Sequence, residues 1–142
     1  MTNTHTPAPA GTLALEHRFD IQQVLHLYAH LIDAKSWNEL DRVFSDDATY
    51  DMSTVKLGVY EGLSAIRGQL ASMDHPDAHF SLDHVIGEAR RNGLVPVRSK
   101  YFVRLKDRTI MDGLYDDRCI LTSTGWRIRS RQILRTGSSC PL

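Results

Sequence analysis

Leu94-Val-Pro-Val-Arg-Ser-Lys-Tyr-Phe-Val-Arg104 decides the architecture. Val95, Val97, Ser99, Tyr101 and Val103 alternate with Pro96, Arg98, Lys100, Phe102 and Arg104, a mostly apolar set against a mostly charged one. A period of two marks a strand with one buried face and one wet face. Turn chemistry brackets it, with Arg91-Asn-Gly93 before and Lys106-Asp-Arg108 after. Similar runs occupy residues 78–90, 109–122 and 126–136, the last two joined by Ser123-Thr-Gly125. Four long strands and three hairpins make an antiparallel meander.

The half before the meander reads differently. Ile21, Val24, Leu25, Tyr28, Leu31 and Ile32 recur at helical spacing, which predicts a helix from Leu15 to Ala34. Ser36 is placed to cap a short second helix that buries Trp37, Leu40, Val43 and Phe44. A short strand, Ala48–Asp51, follows, then a segment at Val55–Tyr60. Gly62 opens a third helix that runs to Met73 on Leu63, Ile66 and Leu70, and Asp74-His-Pro-Asp77 breaks it. Helices first and a meander last predict an α+β fold, a curled, mostly antiparallel sheet wrapped around three N-terminal helices. The expected domain spans 13–136, between a Thr-, Pro- and Ala-rich disordered tail at 1–12 and a C-terminal tail at 137–142.

Bulk properties narrow the function classes. The chain has 142 residues, 42% of them hydrophobic, enough for one core. Seventeen basic residues balance seventeen acidic ones, so nothing electrostatic marks nucleic acid or an anionic membrane as a partner. No apolar run is long enough for a membrane span, and the first eleven residues lack the features of a secretory signal. Cys119 and Cys140 show neither metal-ligand spacing nor a disulfide framework, so a cytoplasmic setting is expected. His26, His30, His75 and His79 have no spacing that suggests a metal site.

Two chemistry-bearing residues stand out. Asp33 ends the first helix, and His84 sits in the predicted strand Phe80-Ser-Leu-Asp-His-Val-Ile-Gly87. A carboxylate that orients an imidazole makes a general base. Tyr28 lies on the helix stripe, so it is either core or site. Asp117 shares a strand face with Gly113, Tyr115 and Cys119, and pairing with Arg129 or Arg131 is the favoured reading for it. Arg127, Arg129, Arg131 and Arg135 read as a solvated or interface face, and Asp107 as part of a hairpin turn.

Asp-x-Lys-x-Trp-x-x-Leu-x-x-x-Phe-x-x-Asp-Ala from Asp33 to Ala48, Gly-x-Tyr-x-Asp from Gly113 to Asp117, and Gly-Trp-Arg-Ile from Gly125 to Ile128 resemble the SnoaL-like branch of the nuclear-transport-factor-2-like (NTF2-like) superfamily. The resemblance covers Phe19 to Thr136 and is similar in pattern to lyases of the scytalone dehydratase, bile-acid 7α-dehydratase and hexachlorocyclohexane dehydrochlorinase type. It implies a cone-shaped cavity in which Asp33 pairs with His84, both catalytic. Tyr28 matches a tyrosine of the bile-acid enzyme's site, and Met52 stands where scytalone dehydratase has a tyrosine, with Tyr50 two residues earlier. Tyr28, Tyr50, Met52 and Tyr101 are the substrate-binding candidates.

The implied activity is a cofactor-independent, metal-free dehydratase-type lyase acting on a small hydrophobic cyclic substrate, steroid- or polyketide-like, in a homodimer or homotrimer. The alternatives are an isomerase or cyclase with the same base, or a non-catalytic binder of small ligands.

Overall fold

The computed structural model describes residues 10–142. Helix α1 spans Leu15–Asp33, and all six stripe residues are buried. It ends in a Schellman arrangement: the Ser36 N–H donates to the Leu31 carbonyl and the Lys35 N–H to the Ile32 carbonyl, with Lys35 left-handed at φ 55°. This stop fixes Asp33 as the last residue of the helix. The second expected helix is a 3-10 turn, Trp37–Arg42, and the Ser36 side chain does not cap it.

Strand β1 (Phe44–Asp51) leads through a 3-10 turn, Ser53–Val55, to the short β2 (Val59–Glu61) and then to α2 (Leu63–Ser72). The meander follows as β3 (Ala78–Ile86), β4 (Val95–Arg104), β5 (Ile110–Thr122) and β6 (Gly125–Leu134). The six strands form one curled sheet in the order β2-β1-β6-β5-β4-β3, antiparallel except for the β1–β6 pair. The helices fill its concave side. Ile21, Leu25, Leu40, Ile66 and Ile128 are fully enclosed there, each stabilising the fold by roughly 1.5–3 kcal/mol relative to exposure.

Two bulges set which side chains enter the hollow. In β3, Leu82 pairs with Lys100 and Val85 with Arg98, so Asp83 and His84 together oppose Ser99, and Asp83 takes φ 53°. In β6, Ser130 pairs with Arg118 but Ile128 with Cys119, which leaves Arg129 as the extra residue. A bulge reverses the in-out alternation beyond it.

The second bulge corrects the expectation for Arg131. Arg131 leaves the face of Arg127 and Arg129 and lies buried inside at 1% exposure. There it forms the favoured pair with Asp117, Nε and Nη2 each donating across 2.9 Å to Asp117 Oδ1 and Oδ2. Removing one partner of such a pair costs about 3–5 kcal/mol, because the other charge stays behind in the interior.

At the termini, residues 1–9 of the expected tail lie outside the described residues. Gly11 exchanges two 2.9 Å backbone hydrogen bonds with Ala89, so pairing begins before residue 13. The C-terminal segment is tied back where Arg98 Nη1 donates to the Ser139 carbonyl at 2.7 Å. Among the described residues no helix is long and apolar enough to cross a membrane.

Candidate functional site

The sheet and the α2 end of the chain enclose a cavity of about 680 Å³. Its walls are apolar, from Met52, Val55, Leu57, Leu70, Met73, Val103 and Ile133. All four expected substrate-binding residues line it: Tyr28, Tyr50, Met52 and Tyr101. Tyr115, His75 and His79 join them. Lys106 and Asp74 pair at 2.7 Å at the rim, an exposed contact of little energetic weight.

The tyrosines form a connected floor. Tyr28 and Tyr50 hydroxyls lie 2.8 Å apart. The Tyr101 and Tyr115 rings stack at 4.4 Å and 16°. Gly113 makes that stack possible: it sits directly opposite Tyr101 in the β4–β5 register, and a β-carbon there would fall 2.6 Å from the Tyr101 ring. Burial raises the Tyr50 and Tyr115 hydroxyls well above their ordinary pKa and raises Tyr101 too, so all three stay protonated donors at neutral pH.

Asp33 does not meet His84. Its carboxylate accepts from the ring of His79, Nδ1 lying 2.7 Å from Oδ1. It also accepts from the His79 backbone N–H, at 3.0 Å to Oδ1 and 3.2 Å to Oδ2. The backbone donor is free because His79 lies near the start of β3, the edge strand of the sheet. This grip makes Nδ1 the ring's donor and leaves Nε2 with its lone pair. No protein group among the described residues bonds that nitrogen, and the residue lines the cavity. Burial lowers the His79 pKa, with Asp33 opposing, so the imidazole is neutral at pH 7. Asp33 itself lies off the cavity. It and His79 also border a second, smaller groove of about 390 Å³, beside His26, His30 and Phe80.

His84 sits elsewhere. Beyond the β3 bulge its Nδ1 lies 2.7 Å from Ser99 Oγ and its ring packs 4.9 Å from that of His26. It borders a separate hollow with Leu15, Arg18, Phe19, Gln22 and Ile86. Burial, then His26, push its pKa down to about 4. Among the described residues no carboxylate bonds its ring, and its Nε2 is buried without a partner. The sequence pointed to the wrong end of one strand for the partner of Asp33.

His75, considered in the sequence only as a metal ligand, stacks on Trp37 at 5.2 Å, and its Nε2–H donates to the Leu70 carbonyl at 2.6 Å. Asp107 does close a turn, accepting from the Thr109 N–H and hydroxyl. Among the described residues no group of three or more His, Cys, Asp or Glu stands ready for a metal ion.

The SnoaL-like domain family matches residues 13–132. An uncharacterised protein of Mycobacterium tuberculosis, Rv2910c, is 31% identical over 126 residues, spanning 82% of this chain and 84% of that one. An NTF2-like protein with a cystatin-like fold from Novosphingobium aromaticivorans superposes with a TM-score of 0.73 at 22% identity, covering 88% of this chain and 86% of that one. A second protein from that organism, provisionally described as a scytalone dehydratase, gives 0.70 at 16%, covering 89% and 97%. ActVI-ORFA of Streptomyces coelicolor gives 0.69 at 12%, covering 85% and 98%. At such identities the structural likenesses establish the fold. The curled sheet, the cavity it encloses and the extent of the sequence match together place the chain in the SnoaL-like domain family of the NTF2-like fold.

Proposed function

We propose that the protein is a cofactor-independent lyase of dehydratase type, with His79 oriented by Asp33 as its general base. One observation carries this: a carboxylate grips Nδ1 and the backbone N–H of a cavity-lining histidine, leaving Nε2 for the ligand space. The likeness to a protein described as a scytalone dehydratase supports the reaction class.

The substrate class is a small cyclic β-hydroxy ketone, polyketide- or steroid-like, because the walls are apolar and, apart from Asp74, Lys106 and Asp107, the polar side chains of the lining are hydroxyls and imidazoles. His79 Nε2 takes the proton beside the carbonyl. The freed electron pair forms the enolate, held by the Tyr28 and Tyr50 hydroxyls. The enolate collapses to the carbon–carbon double bond as hydroxide leaves, taking the proton back from the imidazolium to depart as water. Asp33 stabilises the transient imidazolium without itself being protonated, as the orienting acid of a catalytic triad does. General acid–base help of this kind is worth about 10²–10⁴-fold.

The test is incubation with a panel of cyclic β-hydroxy ketones in deuterated water, following enone absorbance and product mass. Enone formation that fails in His79→Gln supports the lyase. Deuterium uptake beside the carbonyl without loss of water assigns the same base to an isomerase or cyclase. Binding without uptake or product leaves a ligand-binding protein. The setting proposed is cytoplasmic, where Cys119 and Cys140 remain free thiols.

A homodimer belongs to the same proposal. The outer sheet face exposes Phe80, Leu82 and Ile110 around the Phe80–Phe102 stack. Sedimentation of the protein against a Phe80→Glu variant tests it, with a monomeric wild type as the contrary result.

A further inference from the structure

Beneath the tyrosine floor lies a charge that the proposed reaction leaves unused. The Arg131 guanidinium does not line the cavity, yet its Cζ stands 4.3 Å from the centroid of the Tyr28 ring and 3.8 Å from that of Tyr115. Asp117 takes the Nε and Nη2 edge, and Nη1, at the opposite corner of the group, has no acceptor among the described residues. Desolvation works against this charge, but Asp117, joined by Tyr50 and Tyr115, outweighs it and holds the guanidinium ionised. The pair is neutral as a whole, but its positive end, the unbonded Nη1 corner, lies in a medium that screens poorly.

The hydroxyls above it have a hydrogen to spare. Tyr28 and Tyr50 carry two O–H groups but share one hydrogen bond, 2.8 Å long. Whichever donates, the other hydrogen has no protein acceptor among the described residues. A spare donor above a buried cation suits an oxygen that carries negative charge. The titratable groups within electrostatic reach of the guanidinium are Tyr28 from α1, Tyr50 from β1, His84 from β3, and Tyr115, Asp117 and Cys119 from β5.

We propose that Arg131 is a positioning residue that acts through the tyrosine rings, making the Tyr28–Tyr50 hydroxyl pair a seat for an anionic oxygen, so that the cavity takes ligands as enolates or phenolates. This rests on the cavity being the reaction site, but it is testable without turnover. A cation against the ring faces attracts their electron density and favours negative charge at the oxygens beyond.

4-Nitrophenol, whose ionised form absorbs visible light, is the probe, titrated with the full-length protein across pH. The wild type is expected to bind the ionised form, with the bound probe ionising at lower pH than the free one. Replacing both charges, Arg131→Met with Asp117→Leu, avoids stranding a carboxylate. It should move the bound probe's ionisation ratio at least about tenfold toward the neutral form, and the circular dichroism spectrum should stay unchanged. Arg131→Lys should recover part of the effect. Tyr28→Phe should lose the ionised fraction.

The proposal is overturned if the wild type binds only neutral nitrophenol or none. It is equally overturned if the folded double variant keeps the wild-type ratio. Loss of turnover in His79→Gln with the ionised probe still bound separates a failure of the base from a failure of the seat.

Discussion

His79 and His84 share one strand and face the same side of it, yet they hold opposite chemical positions. His79 has a carboxylate on one ring nitrogen and the ligand cavity on the other side. His84 has a serine hydroxyl on one nitrogen, a second imidazole against its face and nothing on Nε2. Burial lowers both pKa values, but Asp33 pulls only His79 back. A histidine that must accept and return a proton needs a carboxylate bonded to its ring; among the described residues His79 has one, whereas His84 has only the weaker pull of Asp83.

The largest test of this contrast is turnover. His79→Gln is expected to lower kcat by about 10²–10⁴-fold on any substrate found, while His84→Gln stays within a few-fold. The reverse ranking would return the base to His84. Asp33→Asn should cost at least about a hundredfold, because an amide in place of the carboxylate cannot stabilise the imidazolium. Its crystal structure should show the His79 ring in place, because the amide oxygen still accepts from Nδ1–H and the backbone N–H; a turned ring would assign the loss to orientation instead. The kcat/KM profile of the wild type should fall on the acid side with an apparent pKa below 6.5, matching the direction of the His79 shift.

Stability separates the pair in another way. In the unfolded chain His84 takes a proton near the ordinary histidine value of 6.5, and in the fold only at about 4. Acid therefore favours the unfolded chain. The stability is fully present above pH 6.5 and declines as pH falls toward 4. Thermal melts at pH 7 and pH 4.5 should show this loss reduced in His84→Gln. An unchanged acid dependence would move its origin to another group. The smallest effect belongs to the bulge: Asp83→Val places a β-branched residue at φ 53° and should cost roughly 1–2 kcal/mol, read by urea denaturation.

Much of this was legible before any coordinates. The meander, its hairpins, the stripe of α1 and an arginine partner for Asp117, either Arg129 or Arg131, follow from period, turn residues and the cost of buried charge. Tyr28, Tyr50, Met52 and Tyr101 do line one cavity.

What failed did so through two single-residue insertions. With strict alternation, His79 and His84 point to opposite faces, and Phe80, Leu82 and His84 form the plausible inner set. The bulge at Asp83 admits both histidines and turns Phe80 and Leu82 outward. The available signal was Asp83 itself, a residue that tolerates the left-handed region, in the middle of an apolar strand. The bulge at Arg129 misled in the same way, hiding one arginine of an apparently solvated run. Tyr28 and Asp33 lie about 140° apart around the helix. The fold handles that separation by an intermediary: Tyr28 reaches the cavity directly, and Asp33 reaches it only through His79.

The groove behind Asp33 gives this dyad a second exposure. The carboxylate side chain is 33% accessible, against 9% for the imidazole it holds. The pair thus stands between the cavity on one side and the groove on the other. For the proposed base, the carboxylate that steadies the ring stays hydrated from behind even when the hollow is filled, so its charge is kept in water while the imidazole works in a dry chamber.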